Sequence, residues 1–206
     1  MSINPILPTI LKDPALPAIF RSIKEELEKK AALREEYYAL IHENVKAEFI
    51  NGEIIYNAPV RRRHWRISGK LYRLLGDFVE KNTLGELGVE KVMIELTRNN
   101  YEPDICFFKK EKAQNFTDDQ MLFPAPDFVV EIISKSAEKI DRGVKFIDYA
   151  QHGVQEYWLI DPEKETLEQY VLEEEAFQLL TKLNKKGEVS STVIEDFSLG
   201  IESLWA

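Results

Sequence analysis

The 206-residue sequence predicts a mixed α/β (α+β) fold with three layers, in which helices cover a central mixed β-sheet. The segment 126–134 (PDFVVEIIS) is apolar on both faces except for two acids, as a central strand covered on both sides requires. Helical spacing of apolar residues over 60–82 and 137–152 supplies the flanking layers. Short runs rich in β-branched and aromatic residues predict further strands of the same sheet at 89–96, 103–108 and 155–160.

The first elements along the chain are a helix and a hairpin. Apolar residues at helical spacing predict an amphipathic helix from Ala18 to about Ile41, and a break near Lys30 is left open. The segment 47–56 (AEFINGEIIY) is typical of a β-hairpin, because Asn51-Gly52 supplies the positive φ of a tight turn. One small domain would not cover the apolar residues of this helix, so we expect a homodimer.

The C-terminal third predicts antiparallel structure. Gly153 is placed to cap the helix over 137–152. The segment 166–193 is typical of a three-stranded meander with a turn at 184–187, and the tail from Phe197 is expected to fold back on the body.

Composition excludes several classes of protein. Apolar residues make up 44% and charged residues 31%, which is typical of an ordered core. A single cysteine, Cys106, excludes a disulfide framework and favours a reducing compartment. There is no apolar run of about 18 residues and no basic start typical of a signal peptide. We therefore expect a soluble, cytoplasmic protein with no membrane partner.

Charge is distributed unevenly. The net charge is −9, yet residues 61–110 carry 11 basic and 7 acidic side chains, a local net of +4. Four arginines, Arg61, Arg62, Arg63 and Arg66, lie in the first turns of a predicted helix, where the helix dipole disfavours cations. Their position suggests phosphate contact, although a solvated surface would also explain it.

Two acids in apolar strands are the main chemical signal. Asp104 follows Pro103 at a strand start, and Glu131 lies in the middle of the strand over 126–134. A buried carboxylate must be paired, protonated or bound to a metal. Two carboxylates on neighbouring strands repel each other unless a cation lies between them, and oxygen-rich sites of this kind suit Mg²⁺.

The same residues also admit a structural interpretation. Glu131 could form an ion pair with Lys145 or Arg142. Lys145 could equally form an exposed pair with Asp141, four residues earlier. In this interpretation His64 is a polar surface residue, and Glu48 is an acid on an edge strand of the hairpin.

Several motifs together resemble a known family. They are PAPDFVVEIISKS, then Asp141-x-x-x-Lys145-x-x-x-Tyr149, then HGVQEYWLIDP. Upstream, AEFINGEI, the helix with His64 and EPDICFF follow the same order. This pattern resembles the Uma-two family of restriction endonucleases over roughly residues 34–200. The first 33 residues are then an N-terminal arm and helix, and residues 34–206 are a nuclease-like domain.

The resemblance implies a PD-(D/E)XK nuclease-like fold with a metal site on its strands. Asp104 and Glu131 match the two acidic positions of the signature, and the backbone carbonyl of Ile132 is the implied additional metal ligand. Ile133 stands where the signature has lysine. The resemblance assigns the lysine role to Lys145 on the following helix, with Lys135 as a rival.

The implied activity is endonucleolytic. Mg²⁺, or Mn²⁺ in its place, would serve hydrolysis of nucleic acid, with DNA the expected substrate. Glu48 and His64 are then candidates for an outer metal contact and for a phosphate or water contact. Two other interpretations stay open. One is an inactive nuclease-like module that binds DNA or protein, and the other is a regulatory protein with an acidic C-terminal half.

Overall fold

The computed structural model describes residues 6–41, 45, 47–56 and 58–206, and the chain divides into two compact units, Met1–Tyr56 and Asn57–Ala206. The division into an N-terminal arm over residues 1–33 and a nuclease-like domain over residues 34–206 stays a prediction. Within the described ranges, no helix has the length and apolar character that a membrane crossing needs.

The N-terminal unit contains two helices followed by a hairpin. Its described elements are α1 (Leu7–Leu11), α2 (Leu16–Leu40), β1 (Ala47–Ile50) and β2 (Glu53–Tyr56). Asn51 and Gly52 have φ of 55° and 91°, so the predicted tight turn is confirmed. The Tyr37 hydroxyl donates to the Ala47 carbonyl oxygen at 2.9 Å and joins the helix to the hairpin.

Helix α2 is continuous, so the break considered near Lys30 does not occur. Most of its apolar side chains are exposed, including Phe20, Ile23 and Leu27. The helix therefore presents apolar surface that nothing in the described part of the chain covers.

The C-terminal unit carries the remaining elements. In chain order these are α3 (Arg62–Asn82), β3 (Gly85–Val89), β4 (Met93–Glu95), β5 (Asn100–Tyr101), β6 (Ile105–Lys109), α4 (Lys110–Ala113), β7 (Leu122–Phe123), β8 (Phe128–Ile132), α5 (Glu138–Asp141), α6 (Val144–Gln151), β9 (Glu156–Asp161), β10 (Thr166–Glu173), β11 (Ala176–Asn184), β12 (Glu188–Ser190), β13 (Ser198–Gly200) and α7 (Glu202–Trp205).

A six-stranded mixed sheet forms the centre of this unit, with strand order β11-β10-β9-β8-β6-β3. Strands β8 and β9 run parallel, whereas β6 and β8 are antiparallel neighbours. The predicted strands at 103–108, 126–134 and 155–160 all lie in this sheet, so the predicted fold class is confirmed.

Helices cover both faces of the sheet. Helix α3 buries Ile67, Leu71, Leu75 and Val79 in a core shared with residues of β6, β8 and β9. On the opposite face α6 supplies Phe146, whose ring makes edge contacts with Tyr157, Tyr170 and Phe177.

The C-terminal tail folds back as predicted. Its buried side chains join the α3 face of the core, and they are Phe197, Leu199, Ile201 and Leu204.

The prediction of one strand over 89–96 is wrong. Glu90 and Lys91 have positive φ and turn the chain, so Gly85–Val89 pairs with β6 while Met93–Glu95 pairs with β5 and β7. A Cβ at Gly88 would lie 2.8 Å from the Cys106 sulfur. Gly85 and Gly88 are typical of a loop in sequence, but here their lack of a side chain allows this strand to lie against β6.

Two further predictions are corrected. The single helix over 137–152 is two helices, α5 and α6, interrupted at Gly143, where a Cβ would lie 2.6 Å from the Lys139 carbonyl oxygen. The three-stranded meander over 166–193 is also wrong, because β12 pairs with β13 and not with β11. The capping glycine is confirmed, since Gly153 follows α6 with φ of 79°.

An ionic cluster joins the end of α5 to the sheet. Arg142 Nη1 lies 2.5 Å from Glu168 Oε2 on β10, and Lys182 Nζ lies 2.8 Å from Glu168 Oε1. Burial by itself raises the pKa of Glu168, but hydrogen bonds from Arg142, Lys182 and Tyr170 outweigh burial and lower it to about 2.

This cluster predicts a pH-dependent stability. A carboxyl whose folded pKa lies below its unfolded pKa stabilises the fold above the unfolded value, and the contribution is lost as pH falls through the folded value. The Tm difference between the wild type and Glu168→Gln should be constant above about pH 5.5 and shrink steadily from pH 4.5 towards pH 2. Thermal unfolding at several pH values measures it, with exposed Glu173→Gln as control. A difference that persists at pH 2 would contradict this assignment.

Candidate active site

The strand register brings the two candidate acids together. Ile105 pairs with Val130 and Cys106 with Val129, so one residue beyond this ladder Asp104 lies opposite Glu131. Directly opposed residues of an antiparallel pair have neighbouring side chains. The Asp104 carboxylate also accepts a hydrogen bond from the Ile132 backbone N–H, with 2.7 Å between Oδ2 and N.

His64 contacts Asp104 from α3. Its side chain is buried, and Nε2 lies 3.2 Å from Asp104 Oδ2. The helix places His64 inward because it shares one face with the buried residues Ile67, Ser68 and Leu71. His64 therefore orients the Asp104 carboxylate.

Lys145 lies between two buried acids. Its Nζ is 3.1 Å from Glu131 Oε1 and 3.5 Å from Asp141 Oδ1, and all three side chains are at most 5% exposed. Lys145 does pair with Asp141, but the prediction that this pair is exposed is wrong, because both side chains are buried. Because the chain breaks at Gly143, Asp141 and Lys145 come from different helices and still converge on Glu131.

A second buried acid fixes α6 against the segment 98–101. Arg98 Nη2 lies 2.7 Å from Asp148 Oδ1, and the Tyr101 hydroxyl donates to Asp148 Oδ2 at 2.6 Å. Asn99 also donates to Asp148. The Tyr101 ring centroid lies 5.7 Å from Lys145 Nζ, so this network holds an aromatic face beside the candidate lysine.

Glu131 lies in buried surroundings. Burial, to which the charge of Glu131 adds, raises the pKa of the Cys106 thiol to about 12. Burial and the charges of Glu131 and Asp141 hold the pKa of Tyr157 well above its ordinary value. Charge interactions in such a setting are stronger than at the surface.

The remaining candidates belong to other parts of the chain. Glu48 belongs to β1 of the N-terminal unit and pairs in register with Ile55. Lys135, the rival lysine, is 74% exposed, and its Nζ lies 3.6 Å from Glu163. Asp127 accepts hydrogen bonds from Lys112 and from the Lys109 N–H, as expected for an acid that orders a strand entry.

The four arginines at the start of α3, Arg61, Arg62, Arg63 and Arg66, are exposed. Arg63 Nη1 lies 3.9 Å from Glu163, and Arg66 donates to the Ala206 carbonyl oxygen. They share the first turns of α3 with His64, which contacts Asp104.

The two candidate carboxylates are oxygen donors of the kind that a divalent cation takes. Within the part of the chain that the structure describes, no three His, Cys, Asp or Glu side chains are grouped to hold a metal ion. Two opposed carboxylates do suit Mg²⁺, which keeps several waters and commonly takes one or two protein carboxylates together with substrate phosphate.

Glu156 is a buried acid that sequence reasoning missed. Its Oε1 accepts from Trp158 and Gln169, and its Oε2 accepts from Ser191, Thr192 and Val193. These neutral donors satisfy the carboxylate and tie residues 191–193 to β9. Asp148 was missed as well, and the sequence signal for it is an acid three residues after Lys145 on an otherwise apolar helix face.

The mixed sheet flanked by helices defines a nuclease-like fold, and comparisons identify the family. The Uma2 family, described as "Putative restriction endonuclease", matches residues 34–202. The chain therefore belongs to this family, which confirms the resemblance seen in the sequence.

Two known proteins are similar. "Uncharacterized protein sll1609" from Synechocystis sp. is 33% identical over 144 residues, which cover 67% of this chain and 78% of that protein. A crystal structure of "a putative nuclease belonging to DUF820 from Anabaena variabilis" shares 20% identity at a TM-score of 0.71, covering 83% of this chain and 96% of that one. The structural similarity confirms the fold.

The buried lysine makes a prediction about stability. Lys145→Ala would leave Glu131 and Asp141 buried without their cation, a loss that typically costs about 3 kcal/mol or more. At roughly 2–4 °C per kcal/mol for a chain of this size, Tm should fall by about 6–12 °C. Glu131→Gln should cost less, because Lys145 keeps Asp141. Thermal unfolding checks this, with the exposed Lys139→Ala as control. Equal stability of the two lysine variants would show that the buried charges are compensated in another way.

Proposed function

We propose that the chain is a Mg²⁺-dependent endonuclease that hydrolyses phosphodiester bonds of nucleic acid, with DNA as its substrate. The observation that carries the proposal is the buried contact between Lys145 and Glu131, with 3.1 Å between Nζ and Oε1. Asp104 directly precedes β6, at the position that continuation of the β6–β8 register places opposite Glu131. Membership of the Uma2 family supports the reaction class.

Each residue has a distinct role in this proposal. Asp104, Glu131 and the carbonyl of Ile132 would hold Mg²⁺, or Mn²⁺ in its place. When bound, the ion supplies Lewis acidity towards the phosphate and lowers the pKa of a bound water. Lys145 would orient that water and offset the charge that develops on the phosphate. His64 would keep the Asp104 carboxylate in place.

Charge supports nucleic acid as the substrate. Exposed arginines surround the start of α3, the helix from which His64 contacts Asp104. Arginine contacts to phosphates release counterions and give affinity without reading sequence. A local cationic surface attracts an anionic substrate. The net charge of −9 opposes non-specific coating of nucleic acid by the rest of the protein.

One observation favours a second candidate function, an inactive nuclease-like module that binds DNA or protein. Lys145 neutralises Glu131 directly, as a purely structural ion pair would. In that case metal binding and cleavage would both be absent while nucleic-acid or protein binding remained.

Cleavage assays with matched acid variants separate the two candidates. Asp104→Asn and Glu131→Gln should abolish Mg²⁺ binding in calorimetry and cleavage of plasmid DNA. Lys145→Ala, assayed below its Tm, should retain metal binding but lose about 10²–10³-fold in rate. Asp127→Asn is the control, because it is another Pro-Asp acid at a strand entry that binds Lys112 instead. No metal binding by the wild type would favour the binding module.

We also propose that the protein is a homodimer. The exposed apolar residues of α2, such as Phe20 and Leu27, support a second copy as the partner. Light scattering should give about 48 kDa, twice the 23.9 kDa of one chain. Phe20→Asp with Leu27→Asp should give the monomer mass, whereas Leu180→Asp on β11 should not. A wild-type mass near 24 kDa would refute the proposal.

A further inference from the structure

Trp65 is an exposed tryptophan with an open ring. Its side chain is 52% exposed, although tryptophan is usually largely buried. The other two tryptophans each use their indole N–H, since Trp158 donates to Glu156 at 2.6 Å and Trp205 to the Lys185 carbonyl oxygen at 3.0 Å. In the described part of the chain, the Trp65 indole has neither a hydrogen-bond partner nor a ring or cation packed on it.

Cations and open space lie on the same side of α3 as this ring. Arg61 and Arg62 lie one turn earlier, and both are exposed. One turn later comes Gly69, where an added Cβ would meet no atom within 4 Å. The indole is therefore accessible from outside and is flanked by cations.

Trp65 is also close to the candidate active site. The preceding residue, His64, points inward and contacts Asp104 at 3.2 Å, while Trp65 points outward from the same helical turn. A strand of nucleic acid that leaves the site over the start of α3 would meet the arginines and the indole together.

We propose that Trp65 stacks on an unpaired base of the nucleic acid while the neighbouring arginines contact its phosphates. Cationic grooves with accessible aromatic rings are how proteins bind single strands. In an intact duplex the base faces are covered by their neighbours, so an indole cannot stack on them. We therefore expect the protein to prefer single-stranded or locally opened nucleic acid to intact duplex. This inference rests on the proposed function only for the choice of nucleic acid as ligand.

The test measures binding without cleavage. Fluorescence anisotropy in EDTA would compare a labelled oligothymidylate of about 12 nucleotides with a duplex of equal length. Trp65→Ala should weaken single-strand binding about tenfold and change duplex binding less than about twofold. Trp65→Phe should retain most single-strand affinity, because an aromatic ring remains. Leu179→Ala is the matched control, as Leu179 is an apolar residue that is 53% exposed on β11.

Two comparisons identify the source of any effect. Arg62→Ala with Arg66→Ala should weaken both probes and reduce the salt dependence, in contrast to Trp65→Ala. Intrinsic fluorescence should be quenched by the single strand much more in the wild type than in Trp65→Phe, since Trp158 is buried and Trp205 is half-buried.

The inference would be overturned if Trp65→Ala kept its single-strand affinity or lost equal affinity for the single strand and the duplex. It would also be overturned if Trp65→Ala differed from the wild type in molecular mass by light scattering, because Trp65 would then lie between two copies. Because no metal is present, the outcome is independent of cleavage. A single-strand preference that requires Trp65, in a protein that cuts nothing, would support this inference and refute the proposed hydrolysis.

Discussion

A lysine ammonium buried between two carboxylates is the constraint around which this domain is built. Lys145 Nζ, Glu131 and Asp141 are all withdrawn from water, and removal of any one changes the net charge of a dry layer. Leaving one of these charges uncompensated typically costs several kcal/mol. The helices α5 and α6 must therefore lie where their polar groups meet β8, and the aromatic contacts of Phe146 complete the packing around them.

The sheet provides the second constraint, which is register. Asp104 lies opposite Glu131 because β6 and β8 pair residue by residue from Ile105 to Phe107. A slip of one residue would move Asp104 away from Glu131 and turn the apolar residues of β6 to the wrong faces. The same register places the apolar residues Ile105, Phe107 and Val130 in the core under α3. The packing of α3 and the position of Asp104 relative to Glu131 therefore depend on one register.

Much of this arrangement could be predicted from local sequence patterns. The two-sided apolar run of β8, the Asn51-Gly52 turn and the capping Gly153 each have a local physical cause, and each prediction is confirmed. The strand at 85–89 could not be predicted, because its two glycines are explained only by the close approach of Cys106. The break at Gly143 likewise depends on a backbone contact with Lys139.

The site was harder to predict than the fold. Glu131 and Glu156 are both buried acids on central strands, yet one contacts a lysine and the other is satisfied by neutral donors. Most of the donors to Glu156 come from residues 191–193, about 35 positions later in the chain. A sequence pattern around either acid cannot distinguish the two cases, because the difference lies in what a distant segment brings to it.

The parallel pairing of β8 and β9 affects which part of the chain can place a lysine beside Glu131. Two parallel neighbours need a connection that crosses over one face of the sheet, and here that connection carries α5 and α6 across Glu131. Any position on the crossover that faces the sheet can deliver an ammonium group to the same place as a residue of the strand itself. An ammonium group beside Glu131 therefore need not come from the strand, and position 133 holds the buried, apolar Ile133.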